Sequence, residues 1–307
     1  MNRSPDIDTP EPPLPPSEPL SEAPTRCGRV ALAGRPNVGK SSLLNVLIGE
    51  PLALVSAKAQ ATRAPVIGLR TEGSTQFIFH DLPGLLDPAY LLHERMVEMA
   101  LRDLAAADVV LHLHPADELP APPLASLLPP GARRPRAELL VLTKADLLPP
   151  DAPPPAEGIL VSATTGAGVD RLLAEVASRL PERPFEYPAD DLGTQPVRFF
   201  VAEYLREAAF ELLEDEVPYA FAAEVEEFRE HTDPVYIRAT LYVERDSQKR
   251  ILIGAGGKTI KAIGQHARRR LEHLLGSRVY LETWVKVLPR WRQSAELLAR
   301  LGFPHLK

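Results

Sequence analysis

The chain has a single cysteine, Cys27, among 307 residues. One thiol excludes an internal disulfide and any metal cage built on several thiolates. It fits a reducing compartment, and the cytoplasm is the expected one. Long apolar runs are missing as well. No stretch approaches the roughly 20 consecutive apolar residues that span a bilayer. The first residues also lack the apolar core of a secretory leader. Aromatic residues are few, at 6%, so the two tryptophans are worth tracing. Trp284 and Trp291 are read as core or helix-docking residues rather than stacking platforms for bases. The rest is an ordinary globular balance, long enough for two domains.

Proline is plentiful, with 33 residues. Many fall in residues 1–25, which are acidic and nearly free of large apolar groups. That composition predicts a disordered or polyproline-like, solvated tail. Proline clusters at 115–130 and 149–155 read as surface loops. The net charge of −6 hides an asymmetry. Residues 235–307 carry 15 Lys and Arg against 5 Asp and Glu, leaving 20 basic and 36 acidic residues elsewhere. A basic block on an acidic chain points to a polyanion-binding module.

The stretch Gly34-Arg35-Pro36-Asn37-Val38-Gly39-Lys40-Ser41 has the spacing of a phosphate-binding loop. An apolar strand candidate precedes it, and Ser42 opens a stretch with helical apolar spacing. Glycines let backbone N–H groups converge on a polyanion at a helix N-terminus. Lys40 would reach the outer phosphates, and Ser41 would offer an oxygen to Mg²⁺. Further strands are expected at 66–70, 76–80, 108–112, 138–142 and 158–161, and helices at 41–48, 91–104 and 168–180. This alternation predicts an α/β domain with a mainly parallel sheet. Ligands of such sheets bind beyond the carboxyl ends of the strands.

Candidate residues stand at those ends. Asp81 would hold Mg²⁺ through a water, and the Gly84 N–H would approach a γ-phosphate. Thr143-Lys144-Ala145-Asp146 follows another strand. The Asp146 carboxylate offers two acceptors to the paired N1–H and N2–H₂ donors of guanine, which adenine lacks. The Lys144 stem would lie along the base. Backbone N–H groups of Ser162-Ala163-Thr164 would meet the guanine O6. His112 and His114 alternate on a strand with no partner at metal spacing, so they read as structural or exposed strand residues rather than ligands.

The phosphate loop and the segment Ser56-Ala57-Lys58-Ala59-Gln60-Ala61-Thr62-Arg63 resemble the Era family of bacterial ribosome-assembly GTPases. The resemblance implies a mobile switch in which Thr62 ligates Mg²⁺ when GTP is bound. It also implies that Asn37 holds K⁺, and that Leu85 stands where other GTPases orient water with glutamine. Three residues depart from the pattern: Ala61 replaces a switch threonine, Leu82 a threonine after Asp81, and Thr143 the usual asparagine.

Beyond a linker at 183–196 the pattern changes. A helix over 197–213, strands over 219–228 and 235–244, two helices and a strand over 278–287 are expected. Gly254-Ala255-Gly256-Gly257 forms a Gly-x-x-Gly turn between the helices. Such a loop lets a nucleic-acid backbone approach and clamps about four nucleotides of single-stranded RNA. Ile253, Gly254, Gly256, Gly257, Lys258, Lys261 and Arg268 are the candidate RNA residues. The element order is that of a type II KH domain, and the runs 242–249 and 279–287 resemble the Era KH domain. One departure is Ala255-Gly256, where relatives carry a basic residue.

The expected organisation is a tail at 1–25, a GTPase domain at 26–182, the linker, and a KH domain at 197–307. The resemblance implies GTP and GDP with Mg²⁺, and K⁺ as a further ion. It also implies the 3′ end of small-subunit ribosomal RNA and the 30S subunit as partners, and peripheral membrane association, for which the sequence shows no amphipathic anchor. A monomer is expected. Leu82, Ala61 and Thr143 motivate the alternative: an RNA-binding assembly chaperone whose nucleotide site senses but scarcely hydrolyses.

Overall fold

A computed structural model describes residues 24–56, 58, 61–85, 87–133 and 135–305. The proline-rich tail lies outside them as far as residue 23, as does Gln60 of the switch segment. The first domain alternates β1 (Arg26–Ala33), α1 (Lys40–Ile48), β2 (Val66–Glu72), β3 (Thr75–Asp81), α2 (Leu91–Ala106), β4 (Val109–Pro115), β5 (Glu138–Thr143), β6 (Ile159–Leu160) and α3 (Val169–Ala177). The six strands lie in the order β2-β3-β1-β4-β5-β6. All neighbours are parallel except β2 and β3. Every residue of β4 is buried, as a central parallel strand covered on both faces requires. His112 and His114 are therefore interior. The His112 Nδ1 lies 3.3 Å from a Glu138 oxygen, and the His114 Nε2 lies 2.8 Å from the Glu118 carbonyl. Among the described residues no group of three or more His, Cys, Asp or Glu could hold a metal.

The second domain runs α4 (Val197–Leu212), α5 (Val217–Ala220), β7 (Ala222–Arg229), β8 (Val235–Val243), α6 (Asp246–Ile253), α7 (Lys258–Leu275), β9 (Val279–Val287) and α8 (Ala295–Arg300). Its sheet has the order β7-β8-β9, antiparallel then parallel. The strand expected from 219 starts later. Pro218 fits the first helical turn, where no N–H is needed, and the chain completes α5 before β7 begins. The tryptophans divide. Trp291 is fully buried and donates to the Ala220 carbonyl at 2.9 Å. Trp284 stands 57% exposed on β9, so the core reading fails there.

The segment expected as a linker is bound along the first domain. The Leu69 N–H donates to the Leu192 carbonyl at 2.9 Å, and Gly68 bridges Gly193. Phe185 and Tyr187 pack on Cys27, Leu69 and Ile78. The domains also share an apolar cluster. Leu92 and Met96 of α2 meet Ala222, Tyr242, Trp291 and Leu298.

Candidate functional site

The loop from β1 to α1 owes its shape to two glycines. A Cβ on Gly34 would lie 2.6 Å from the Leu113 carbonyl oxygen. Gly39 precedes α1 in the left-handed region, φ 95°, and as a glycine it has no side chain to cap the helix. The first N–H groups of α1 are thus left for a ligand. Gly84 brings the turn after β3 against this loop, since a Cβ there would meet Pro36 at 2.9 Å.

Three oxygens converge at the start of α1. The Ser41 hydroxyl donates to Asp81 Oδ2 at 2.5 Å. The Thr62 hydroxyl lies 3.0 Å from Ser41 Oγ and 3.2 Å from the same Asp81 oxygen. Asp81 is fully buried, and its Oδ1 has no partner among the described residues. Burial pushes its pKa up, and Lys40 opposes the shift. A buried carboxylate with an orphaned oxygen beside two hydroxyls is a hard, all-oxygen donor set, which fits Mg²⁺. Lys40 is itself buried, with its ammonium 2.9 Å from the Arg35 carbonyl and 3.3 Å from that of Gly34. Burial lowers its pKa to about 8, with Asp81 working the other way.

The other end of the cleft carries the base-reading residues. Lys144 adopts a left-handed conformation, φ 57°, which turns the chain sharply after β5. Asp146 Oδ1 accepts the Ser162 hydroxyl at 2.6 Å. Thr143 donates to the Val38 carbonyl at 2.7 Å. Between the two ends lies a cavity of about 630 Å³, lined by Asn37, Gly39, Lys40, Ser41, Ser42, Ala61, Thr62, Gly84, Thr143, Lys144, Asp146, Ala163 and Thr164. Gly34, Val38, Asp81 and Ser162 are not among the wall residues. Leu54 and Val55 also line it, beside Ser56 at the start of the switch segment, and no sequence signal singled out these two apolar residues. Leu82 and Leu85 are buried against Ala100, Leu104 and Val110, so neither side chain handles water.

The switch segment is fastened to the second domain. Arg63 is 4% exposed. Its guanidinium donates to the carbonyls of Phe221 at 2.6 Å, Tyr219 at 2.9 Å and Pro218 at 3.2 Å. It also sits 5.8 Å from the Phe210 ring centre and 5.7 Å from that of Trp291. Burial, with Arg206 nearby, lowers its pKa to about 9, which leaves it charged at neutral pH. Arg206 donates to the Ala61 carbonyl. Lys58 donates to the Phe210 carbonyl at 2.5 Å and to that of Leu213. Sequence reasoning missed this fastening. Its only local signal was two basic residues flanking a switch threonine.

In the second domain, Gly254 has φ 74°, and a Cβ there would lie 2.2 Å from the Thr259 hydroxyl. Gly256 and Gly257 also have positive φ but face open space. Ala255, Gly256, Lys258 and Lys261 are exposed around the turn, and Ile253 is half-buried beneath it. Arg268 is remote. It lies ten residues along α7 from Lys258, about 15 Å at helical rise, and sits 3.8 Å from Glu272. Arg270 serves the domain interface, donating to the Pro51 carbonyl at 3.1 Å.

Residues 29–144 match the family described as 50S ribosome-binding GTPase, and residues 216–292 match the KH domain. GTPase Era of Geobacter metallireducens is 39% identical over 92% of this chain and all of its own length. GTPase Era of Carboxydothermus hydrogenoformans is 39% identical over 91% of this chain and 98% of its own. The crystal structure of an Aquifex aeolicus Era variant bound to GDP·AlF₄⁻ has a TM-score of 0.84 and 34% identity. It covers 92% of this chain and 100% of that one. Identical values hold for Era in complex with MgGDPNP and nucleotides 1506–1542 of 16S ribosomal RNA. With its phosphate loop, its three converging oxygens and a KH domain behind them, the chain belongs to the Era family of GTPases.

Proposed function

We propose that this chain binds GTP with Mg²⁺, hydrolyses it to GDP and phosphate, and holds the single-stranded 3′ end of small-subunit ribosomal RNA on its KH domain. The convergence of Ser41, Thr62 and Asp81 at the start of α1 carries the nucleotide half of this reading. Those three residues would hold Mg²⁺, which supplies a Lewis acid for the transferring phosphoryl group. The N–H groups at the start of α1 bind the phosphates, and Lys40 balances their charge. Thr62 and the Gly84 N–H respond to the γ-phosphate. Leu85 faces the core, so water is oriented by another group. Asn37 is the candidate for K⁺, an added positive charge beside the phosphates.

The Era complex with a 16S ribosomal RNA fragment supports the RNA half. Maturation of the 30S subunit is the process that fits a switch bound to that end, with the chain acting as a monomer in the cytoplasm and any membrane contact peripheral. Among the described residues, no helix is long and apolar enough to cross a membrane. The chaperone alternative is disfavoured. Leu82 lies in the core, Thr143 secures the phosphate loop, and the Ala61 carbonyl is held by Arg206.

The test is GTP turnover in K⁺ and in Na⁺, with and without a single-stranded RNA of the small-subunit 3′ end. Faster phosphate release with RNA, and in K⁺, is expected. Tight RNA binding without phosphate release would instead establish the chaperone. Equal rates in both salts would reduce Asn37 to a loop residue.

A further inference from the structure

Thr143 ends β5 where the resembling family carries asparagine. Its side chain is buried, at 4% exposure. Its hydroxyl has one proton, and the neighbours within reach are both acceptors. The Val38 carbonyl lies at 2.7 Å and the His114 carbonyl at 3.3 Å. Whichever takes the proton, none is left for a base. Asparagine differs in kind, because its amide nitrogen carries two protons. One can hold a carbonyl while the other points elsewhere.

The bond to Val38 reaches into the phosphate loop. A Cβ built on the adjacent Gly39 would lie 3.8 Å from the Thr143 Cβ, in ordinary contact. Thr143 therefore straps the phosphate loop to the end of β5. Asp146, three residues on, is oriented differently. Ser162 holds one of its oxygens at 2.6 Å, and the carboxylate still offers acceptors to the N1–H and N2–H₂ edge. The opposite edge of guanine presents only acceptors, O6 and N7. Recognition there needs protein protons, and the Thr143 hydroxyl has spent its own.

We propose that Thr143 sets specificity by omission. It holds the phosphate loop and leaves N7 unread, so this chain selects guanine through the N1–N2 edge and accepts guanine nucleotides whose N7 cannot take a hydrogen bond. The proposal rests on the GTP reading given above.

The experiment displaces a fluorescent GDP analogue from the full chain with GTP, 7-deaza-GTP, ITP and ATP. The affinity of 7-deaza-GTP is expected within about twofold of GTP, while ITP, which lacks the 2-amino group, falls by about tenfold or more. A loss of about tenfold or more for 7-deaza-GTP overturns the proposal. If ITP and ATP compete as well as GTP, the guanine reading falls and takes the proposal with it. The ATP arm distinguishes that failure from the first. Thr143→Ser should preserve both affinity and the GTP to 7-deaza-GTP ratio. Thr143→Ala should weaken both nucleotides alike, since only the strap is lost. Thr143→Asn should create a preference for GTP over 7-deaza-GTP of about fivefold or more. An unchanged ratio in a folded Thr143→Asn protein would count against the proposal, because a purely structural position would behave that way.

Discussion

Lys40 shows how one residue's surroundings set the conditions for binding. Its ammonium is buried among carbonyls, and desolvation lowers its pKa to about 8. A polyphosphate restores the charged form, so the bound pKa is higher than the free one. Below about pH 8 the lysine is already protonated, and affinity should be flat. Above it, binding must take up a proton, and affinity should fall by up to about tenfold per pH unit. Calorimetry in two buffers of different ionisation enthalpy reads the proton uptake directly. Zero uptake at about pH 9 would show that the free lysine keeps its ordinary pKa. Stability of the nucleotide-free protein should move the other way. Between the folded value and the ordinary 10.5, the unfolded chain binds more protons, so stability rises with pH.

At the scale of elements, the Gly-x-x-Gly turn divides its tasks. Gly254 is required by packing, because any Cβ would strike Thr259, whereas the space at 256 and 257 is open. Ala255 is exposed in the turn between α6 and α7, with Lys258 close by. Ala255→Lys should therefore leave the fold intact and strengthen single-stranded RNA binding at low salt. The slope of log affinity against log salt should steepen by about 0.7 for one added phosphate contact. An unchanged slope would mean that RNA does not pass this turn. This loop and the phosphate loop were legible in the sequence because their glycines and lysines sit at short fixed spacings, and each is flanked by apolar periodicity. The strand boundary at 219 was not. Tyr219 and Phe221 alternate like strand residues, but Pro218 and the Tyr219–Phe210 ring contact close a helical turn there first. What Arg268 meets was equally unreadable, because its ion-pair partner is set by the helix, and the structure puts it 3.8 Å from Glu272, one turn further along α7.

For the molecule as a whole, the contact that counts most is the fastening of the switch segment to the KH domain. Thr62 touches Ser41 and Asp81 on one side, and the next residue, Arg63, is buried among three carbonyls of the other domain. Such a pairing spans 155 or more residues of sequence, which is why no local pattern announced it. Arg63→Ala leaves those carbonyls short of a donor and should destabilise the chain by about 2–3 kcal/mol. Urea unfolding followed by tryptophan fluorescence in a Trp284→Phe background, where Trp291 alone reports, measures this. The same variant should narrow the preference for GTP over GDP, because Thr62 loses its foothold. Arg63→Lys keeps the charge but not the fork, and should fall between the two. Wild-type stability in Arg63→Ala would make the contact incidental.

The strap at 192–193 bears on how the chain is born. β2 is an outer strand of the six-stranded sheet, and its free side is met by Leu192 and Gly193. An uncovered outer strand is a template for pairing with other chains. During synthesis the phosphate-loop domain emerges with that side still raw. It is sealed only once residues far downstream have left the ribosome, so a chain stopped short of residue 192 keeps an adhesive margin that the finished one has lost.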